Sequence, residues 1–117
     1  MQSKRLHREG ARHFWLQRAT AVALLVLVPL LVLVLVMLVG QDQASVRATL
    51  GNPLVSVGLA ALIVAGAVHM NLGMQVIIED YIHQTGSRRM LLGASTVFSV
   101  FIVFSTLYAL LRLTFGF

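Results

Sequence analysis

Apolar residues fall in three long and almost uninterrupted runs along the chain. The runs cover residues 19–39, 54–78 and 90–111, and each can cross the roughly 30 Å hydrocarbon layer of a bilayer as a helix of about 20 residues. They lack the period-2 alternation that indicates a half-buried strand. The pattern predicts an all-α fold with three transmembrane helices, and we expect residues 1–117 to form a single membrane domain.

Polar residues are concentrated in an N-terminal tail, residues 1–18, and in two short connections, residues 41–53 and 79–89. The first connection ends in an Asn-Pro turn signal, and the second contains a break at Gly86. The first apolar run exceeds the roughly 7–15 residues of a signal peptide core, so we expect it to be a retained span. Its single proline, Pro29, is expected to kink the helix.

Basic residues are unevenly distributed between the two ends of the spans. On one side lie Lys4, Arg5, Arg8, Arg12 and Arg18 in the tail and Arg88 and Arg89 in the second connection. On the other side lie Arg47 and Arg112. Because cytoplasmic segments are enriched in Lys and Arg, this asymmetry predicts a cytoplasmic N-terminus and second connection, with the C-terminus outside.

The composition narrows the range of possible functions. Hydrophobic residues make up 58% of the chain and charged residues 11%, and the mean hydropathy of +0.88 is too high for a soluble domain of this size. The sequence pI is about 11.2, but the basic tail lacks interleaved aromatic residues, which favours a topogenic role and no nucleic acid partner. The absence of cysteine excludes disulfides, cysteine-ligated iron-sulfur clusters, zinc-thiolate sites and covalent haem attachment.

An ionisable residue, His69, lies in the second apolar run. It precedes Asp80 by 11 residues, or about 16 Å along a helix, which is mid-membrane, where such a residue is a functional candidate. Ala65, Gly66 and Gly73 share its face and leave a groove for a flat group or another backbone. Imidazole is a common axial ligand of haem iron. A b-type haem site and a simple hydrogen bond between helices both remain open from the residues alone.

The other histidines are His7, His13 and His83, and all three lie outside the apolar runs. They are therefore not placed to supply a second axial ligand at mid-membrane depth. A haem held by two histidines would need its other ligand from another chain.

Asp80 and Tyr81 follow the second apolar run at the predicted membrane edge. A phenol donates a hydrogen bond to a carbonyl oxygen while a carboxylate relays protons from water, which suits a quinone. Tyrosine is also an ordinary interfacial anchor and aspartate an ordinary loop residue. Glu79 and His83 are further relay candidates, His83 being equally consistent with a surface loop. Which of Glu79, Asp80 and His83 relays protons stays open.

The third apolar run carries hydroxyl groups on one face, at Ser95, Ser99 and Thr106. Hydroxyls at this helical spacing commonly hydrogen-bond neighbouring helices in membranes. We expect this face to pack against a second anchor subunit and to take no part in chemistry.

Two motifs carry a resemblance to a known family. They are HFWLQRATA at residues 13–21 and H-x3-GMQVIIEDY at residues 69–81, the second closing the middle span of three. With these motifs and its topology, the chain resembles the small, D-type hydrophobic membrane anchor subunit of succinate dehydrogenase, respiratory complex II. The resemblance covers essentially the whole chain.

The resemblance implies a division of roles among residues. It makes His69 an axial ligand of the iron of haem b, and the other axial ligand would come from a larger, cytochrome b-type anchor subunit. Tyr81 becomes the hydrogen-bond donor to the quinone, which the resemblance implies is ubiquinone, and Asp80 becomes its neighbour that passes protons. Arg18 matches a basic residue that pairs with a haem propionate, although a topogenic charge explains it equally well.

The resemblance also implies partners and a location. FAD and iron-sulfur clusters would reside on a flavoprotein subunit and an iron-sulfur subunit, which the anchors hold at the cell inner membrane. The chain would then be a non-autonomous subunit of succinate:quinone oxidoreductase without activity of its own. Two alternatives are a helical membrane protein for assembly or regulation, and a proton-relay subunit of a transporter. The second would need further ionisable groups at membrane depth, which the sequence lacks.

Overall fold

The chain folds into four helices in the computed structural model, which describes the backbone of residues 2–117 and the side chains from residue 7 onward. The helices are α1 (Gln2–Leu38), α2 (Gln43–Gly51), α3 (Pro53–Tyr81) and α4 (Thr85–Phe115). No strand occurs in residues 2–117. The three long helices are each apolar enough to cross a membrane. The predicted all-α fold with three spans is confirmed.

The long helices extend well beyond the apolar runs. Helix α1 includes the basic tail from Gln2 onward, and α4 continues to Phe115. Hydropathy marks only the part of a helix that crosses the hydrocarbon layer. The flanking residues of the tail are mostly Arg, Gln, Glu, Leu and Ala, which favour helix wherever they lie, so α1 continues without a break.

The first connection contains a helix that the apolar pattern did not predict. Helix α2 begins after Asp42, whose Oδ1 accepts a hydrogen bond of 2.8 Å from the Ser45 backbone N–H. The hydrogen bonds from Ser45 lower the pKa of Asp42 below its ordinary value. Helix α3 then follows at once, with Asn52 as N-cap and Pro53 in its first turn, where no backbone N–H is required.

The second connection is shorter than predicted. Residues 82–84 are the only non-helical residues between α3 and α4. Gly86 therefore does not break the chain, because it lies in the first turn of α4, where the missing intrahelical partners make a glycine easy to accommodate. The predicted break between the second and third spans exists, but it lies at residues 82–84 and not at Gly86.

Helix α3 is central, since it packs against both α1 and α4, while α2 packs mainly against α4. The bundle measures 55 × 27 × 24 Å. Of the described hydrophobic side chains, only Ala67, Ile78 and Leu110 are buried. Most large apolar side chains face outward, as expected for helices whose surroundings are lipid or neighbouring subunits rather than water.

Hydroxyl groups join α4 to α3. Ser95 Oγ donates a hydrogen bond of 2.9 Å to Asn71 Oδ1, and Thr114 Oγ1 donates one of 3.0 Å to Ser56 Oγ. Ser99 is buried by residues of this chain, without any contribution from another subunit. The expectation that the hydroxyl face packs against a second anchor subunit is therefore wrong for Ser95 and Ser99. The central position of α3, which the sequence does not reveal, is the reason.

Candidate functional site

His69 lies in the middle of α3, half-buried, on the side that faces α1. Its Nδ1 atom is 3.0 Å from Thr20 Oγ1 of α1. The Thr20 hydroxyl is also 2.7 Å from the backbone oxygen of Leu16 and 3.1 Å from that of Gln17. One ring nitrogen of the imidazole is thus held by a side chain of the neighbouring helix.

Thr20 belongs to a row of polar side chains along α1. His13, Gln17 and Thr20 are spaced four and three residues apart, so they share one face of the helix. We define the α1–α3 seam as His13, Gln17 and Thr20 of α1 together with His69, Leu72 and Gly73 of α3.

In the part of the seam around His13 and Gln17, the polar side-chain atoms are only partly paired in hydrogen bonds. His13 Nε2 lies 3.4 Å from the backbone oxygen of Leu72, a long hydrogen bond. Gln17 Oε1 is buried and has no hydrogen-bond partner among the described residues. An unpaired buried amide oxygen is unfavourable. Gln17 Oε1 is therefore free to accept a hydrogen bond from a further donor.

Helix α1 occupies the small-residue face of α3. A Cβ atom built on Gly66 would lie 3.9 Å from Leu24 Cδ2, and one on Gly73 would lie 3.9 Å from Gln17 Nε2. The sequence left open a flat group or another backbone as the occupant of this groove; in the structure a neighbouring helix lies there, and its side chains rather than its backbone are nearest to the glycines. A haem would have to meet His69 from outside this groove.

The free ring nitrogen of His69 has such an outward approach. Nε2 makes no hydrogen bond within the described part of the chain, and it is not among the buried unpaired polar atoms there, so it reaches the protein surface. Residues 7–117 contain no cluster of three or more His, Cys, Asp or Glu that could hold a metal ion. His69 Nε2 would be able to hold a haem iron as a single ligand from this chain.

Asp80 and Tyr81 are adjacent but face different sides of α3. At about 100° per residue, Asp80 is displaced by about 20° from His69 around the helix axis, and Tyr81 by about 120°. Asp80 is thus on the side of α1, whereas Tyr81 is on the side of α4. Both side chains are exposed, Tyr81 by 77%.

Tyr81 lies at one end of an apolar cleft between α3 and α4. The cleft has a volume of about 530 Å³, and its lining includes Met70, Met74, Ile77, Leu91 and Phe98. Mostly apolar walls, with the Tyr81 phenol at one end and Ser95 in the lining, are typical of a site for a largely apolar molecule that carries few polar groups.

Arg18 is not brought to His69. Its side chain is exposed, and its guanidinium lies 5.3 Å from the centre of the Phe14 ring, a cation–π contact. Since Arg18 directly follows Gln17, it is about 100° away from the seam around α1. Glu79 and His83 are exposed as well, so neither is fixed as a proton relay by its contacts.

Sequence reasoning missed the seam. The residues that partner α3 are His13, Gln17 and Thr20, whereas the expectation had singled out Arg18 from the same motif. The signal available was the H-x3-Q-x2-T spacing within residues 13–20, which places three polar groups on one helical face.

Three apolar helices, with a histidine near the centre of the middle one, define a small helical membrane protein. Residues 2–108 match the family described as succinate dehydrogenase/fumarate reductase transmembrane subunit. The chain belongs to this family.

Curated relatives agree with the family. The chain is 33% identical over 108 residues, 92% of its length and 83% of the relative's, to the succinate dehydrogenase hydrophobic membrane anchor subunit of Paracoccus denitrificans. It is 29% identical over 102 residues, 87% of its length and 82% of the relative's, to the subunit of the same name from Rickettsia bellii (strain RML369-C). No solved structure gives a significant match. The resemblance found in the sequence is confirmed.

Proposed function

We propose that this chain anchors succinate:quinone oxidoreductase in the membrane. It holds a flavoprotein subunit, which carries FAD, and an iron-sulfur subunit at the cell inner membrane, with its N-terminus in the cytoplasm. It shares a haem b with a larger cytochrome b-type anchor subunit, and it helps to form the quinone site. Family membership and the two named relatives support the anchor role.

The observation that carries the haem assignment is the pair of environments around the His69 ring. Nδ1 is held by Thr20, while Nε2 has no partner in the described chain and opens to the surface. A haem bound here supplies a one-electron redox centre between the anchors. His69 Nε2 would hold its iron, and α1 would keep the imidazole in place.

A packing role for His69 is the second interpretation, and the hydrogen bond to Thr20 favours it. The two roles are compatible, because imidazole has two ring nitrogens and this bond uses only Nδ1. Packing alone leaves Nε2 in the middle of a span without a partner in the described chain, which is unfavourable in an apolar medium. Ligation satisfies both nitrogens.

We place the quinone site at the end of α3. The Tyr81 hydroxyl would donate a hydrogen bond to a quinone carbonyl, and the apolar cleft between α3 and α4 would accept apolar parts of the molecule, expected to be ubiquinone. Asp80 lies next in the chain and its side chain is exposed, and it would pass protons to the site. Because the two side chains point about 100° apart around the helix axis, water or the quinone headgroup would have to bridge them.

Arg18 is our candidate partner for a haem propionate. Its guanidinium is exposed and lies off the seam, and a propionate approaching from outside α1 would meet it on that exposed side. The contact with Phe14 orients the guanidinium without using its N–H donors.

The experiment is a reduced-minus-oxidised optical spectrum of the purified native complex, with all subunits identified in the same sample. We expect a b-type signal together with a flavoprotein and an iron-sulfur protein. The variant His69→Ala should lose or shift this signal, and the matched control His83→Ala, at an exposed residue outside the seam, should not. An unchanged signal in His69→Ala would leave His69 with packing only, and the absence of both soluble partners would favour the assembly protein.

A further inference from the structure

We propose that Thr20 is a positioning residue that fixes the tautomer of His69. In this arrangement the proton resides on Nδ1 and points at the Thr20 hydroxyl oxygen, which leaves the lone pair of Nε2 directed to the protein surface as an iron ligand. The proposal rests on the haem function proposed above and extends it to a residue of α1.

The argument begins with the single proton of the Thr20 hydroxyl. Oγ1 lies 2.7 Å from the Leu16 carbonyl oxygen, 3.1 Å from the Gln17 carbonyl oxygen and 3.0 Å from His69 Nδ1. Carbonyl oxygens only accept hydrogen bonds. Two oxygens at 2.7 Å with no proton between them would repel each other, and this distance is the usual O–H···O length. The hydroxyl proton therefore goes to Leu16.

The direction of the bond to His69 follows from this choice. With its proton committed to the main chain of α1, Oγ1 offers only lone pairs to α3. A contact of 3.0 Å to Nδ1 is then a hydrogen bond only if Nδ1 carries the proton. A neutral imidazole has one N–H, so Nε2 is left bare. The bare nitrogen is the one that ligates a metal.

The surroundings keep this arrangement in place. A Cβ atom at position 66 or 73 would lie 3.9 Å from a side chain of α1, which is ordinary van der Waals contact, so the two helices pack side by side here with room for no side chain much larger than alanine. Histidines that ligate metals generally donate their other N–H to a fixed partner, which orients the ring. Here a neutral hydroxyl takes the place of the more common carboxylate.

The nature of that partner affects the iron. A carboxylate that accepts a hydrogen bond from Nδ1–H pulls on this proton and makes the imidazole a more basic ligand, which favours the ferric state of the iron. A neutral hydroxyl in the same place raises the basicity of the imidazole only weakly. Thr20 thus orients His69 without adding a negative charge at membrane depth, where a charge is costly.

The test uses three variants in the intact complex: Thr20→Val, Thr20→Ser and Gln17→Leu. Valine has the shape of threonine without the oxygen, serine keeps the oxygen, and Gln17→Leu alters the same seam one turn away. The readouts are the transfer of haem to excess apo-globin and the EPR signal of the oxidised haem. Loss of such a supporting partner typically weakens metal binding by about 10- to 100-fold.

We expect Thr20→Val to lose haem faster by about that factor and to shift the EPR signal, while Thr20→Ser and Gln17→Leu resemble the wild type. Wild-type haem retention and EPR in Thr20→Val would overturn the proposal, and so would equal effects in Thr20→Val and Thr20→Ser. If His69→Ala retains its haem signal, the proposed haem function fails instead.

A measurement on the unaltered complex covers the case in which Thr20→Val does not assemble. In complex labelled with ¹⁵N-histidine and reduced so that the haem is diamagnetic, we expect Nδ1 of His69 to give the resonance of a protonated ring nitrogen. An unprotonated Nδ1 would refute the tautomer assignment directly.

Discussion

Replacing Gly51 with alanine adds one methyl group where the end of α2 meets α4. A Cβ atom at this position would lie 2.6 Å from the Leu113 backbone oxygen and 3.1 Å from the Leu113 carbonyl carbon. The shorter contact is about 1 Å below the optimum for nonbonded heavy atoms. Since the obstacle is backbone rather than a flexible side chain, α2 or the end of α4 must move.

The expected penalty follows from two opposing terms. Overpacking of this kind costs about 1–3 kcal/mol, while alanine gains up to about 1 kcal/mol over glycine in helix propensity. Gly58 of α3 supplies the matched control, because a Cβ atom there meets nothing within 4 Å. Gly51 is the last residue of α2 whereas Gly58 lies inside α3, so the difference between Gly51→Ala and Gly58→Ala contains the overpacking term of about 1–3 kcal/mol and up to about 1 kcal/mol of unequal helix propensity, which acts in the same direction.

The assay is the rate of irreversible thermal inactivation of the purified complex at a fixed temperature. If the penalty is fully relieved on the way to the unfolded state, Gly51→Ala inactivates about 5- to 150-fold faster than Gly58→Ala. Activity per intact complex should be the same in both variants, because α2 and the proposed haem and quinone sites lie at different places along the bundle. Equal inactivation rates would refute the close approach of α2 to α4.

Three further predictions concern the quinone site, the α3–α4 contact and the cap of α2. Tyr81→Phe should slow quinone reduction while leaving succinate oxidation by an artificial acceptor unchanged, and equal losses in both assays would contradict a role for the hydroxyl. Ser95→Ala removes a hydrogen bond to α3 worth about 0.6 kcal/mol in a membrane, so thermal inactivation should be about threefold faster; Thr96→Ala, whose hydroxyl bonds only its own helix, should be neutral. Because the pKa of Asp42 is lowered from 3.8, its charged cap contributes to stability above that pH and loses the contribution as the pH falls through the lowered value. Amide exchange in α2 should therefore be insensitive to this group near neutral pH and accelerate only in acid, and Asp42→Asn should remove that acid dependence.

The spans were predictable from the sequence and the element lengths were not. Uninterrupted apolar runs have few alternatives to a membrane helix, so α1, α3 and α4 follow from hydropathy. Hydropathy is silent about a polar extension such as residues 2–18, which continues the helix on propensity alone. Helix α2 has nine residues, too few to be stable by themselves, and it depends on contact with α4 that only the folded chain provides.

For the candidate site, the sequence identified the groups and not their partners. His69 is conspicuous because it interrupts an apolar run, and its small neighbours Gly66 and Gly73 lie on the face that side chains of α1 contact. Thr20, which lies 49 positions away, is an unremarkable residue among apolar ones, so nothing in its own type marks it. The periods of apolar helices also do not reveal which faces meet, and this is why Ser95 was assigned to the wrong neighbour.

The polar row on α1 also has a consequence for how that helix is oriented about its own axis. Beyond Thr20, residues 21–38 are almost all leucine, valine and alanine, so one face resembles another and many azimuths would pack comparably against α3. A slip of one residue rotates the helix by about 100° and carries Thr20 away from His69. In a lipid solvent, burial of apolar surface does not favour one rotation of α1 over another. A few hydrogen bonds therefore select a single rotation, and the polar row determines how α1 is oriented although each bond adds little to stability.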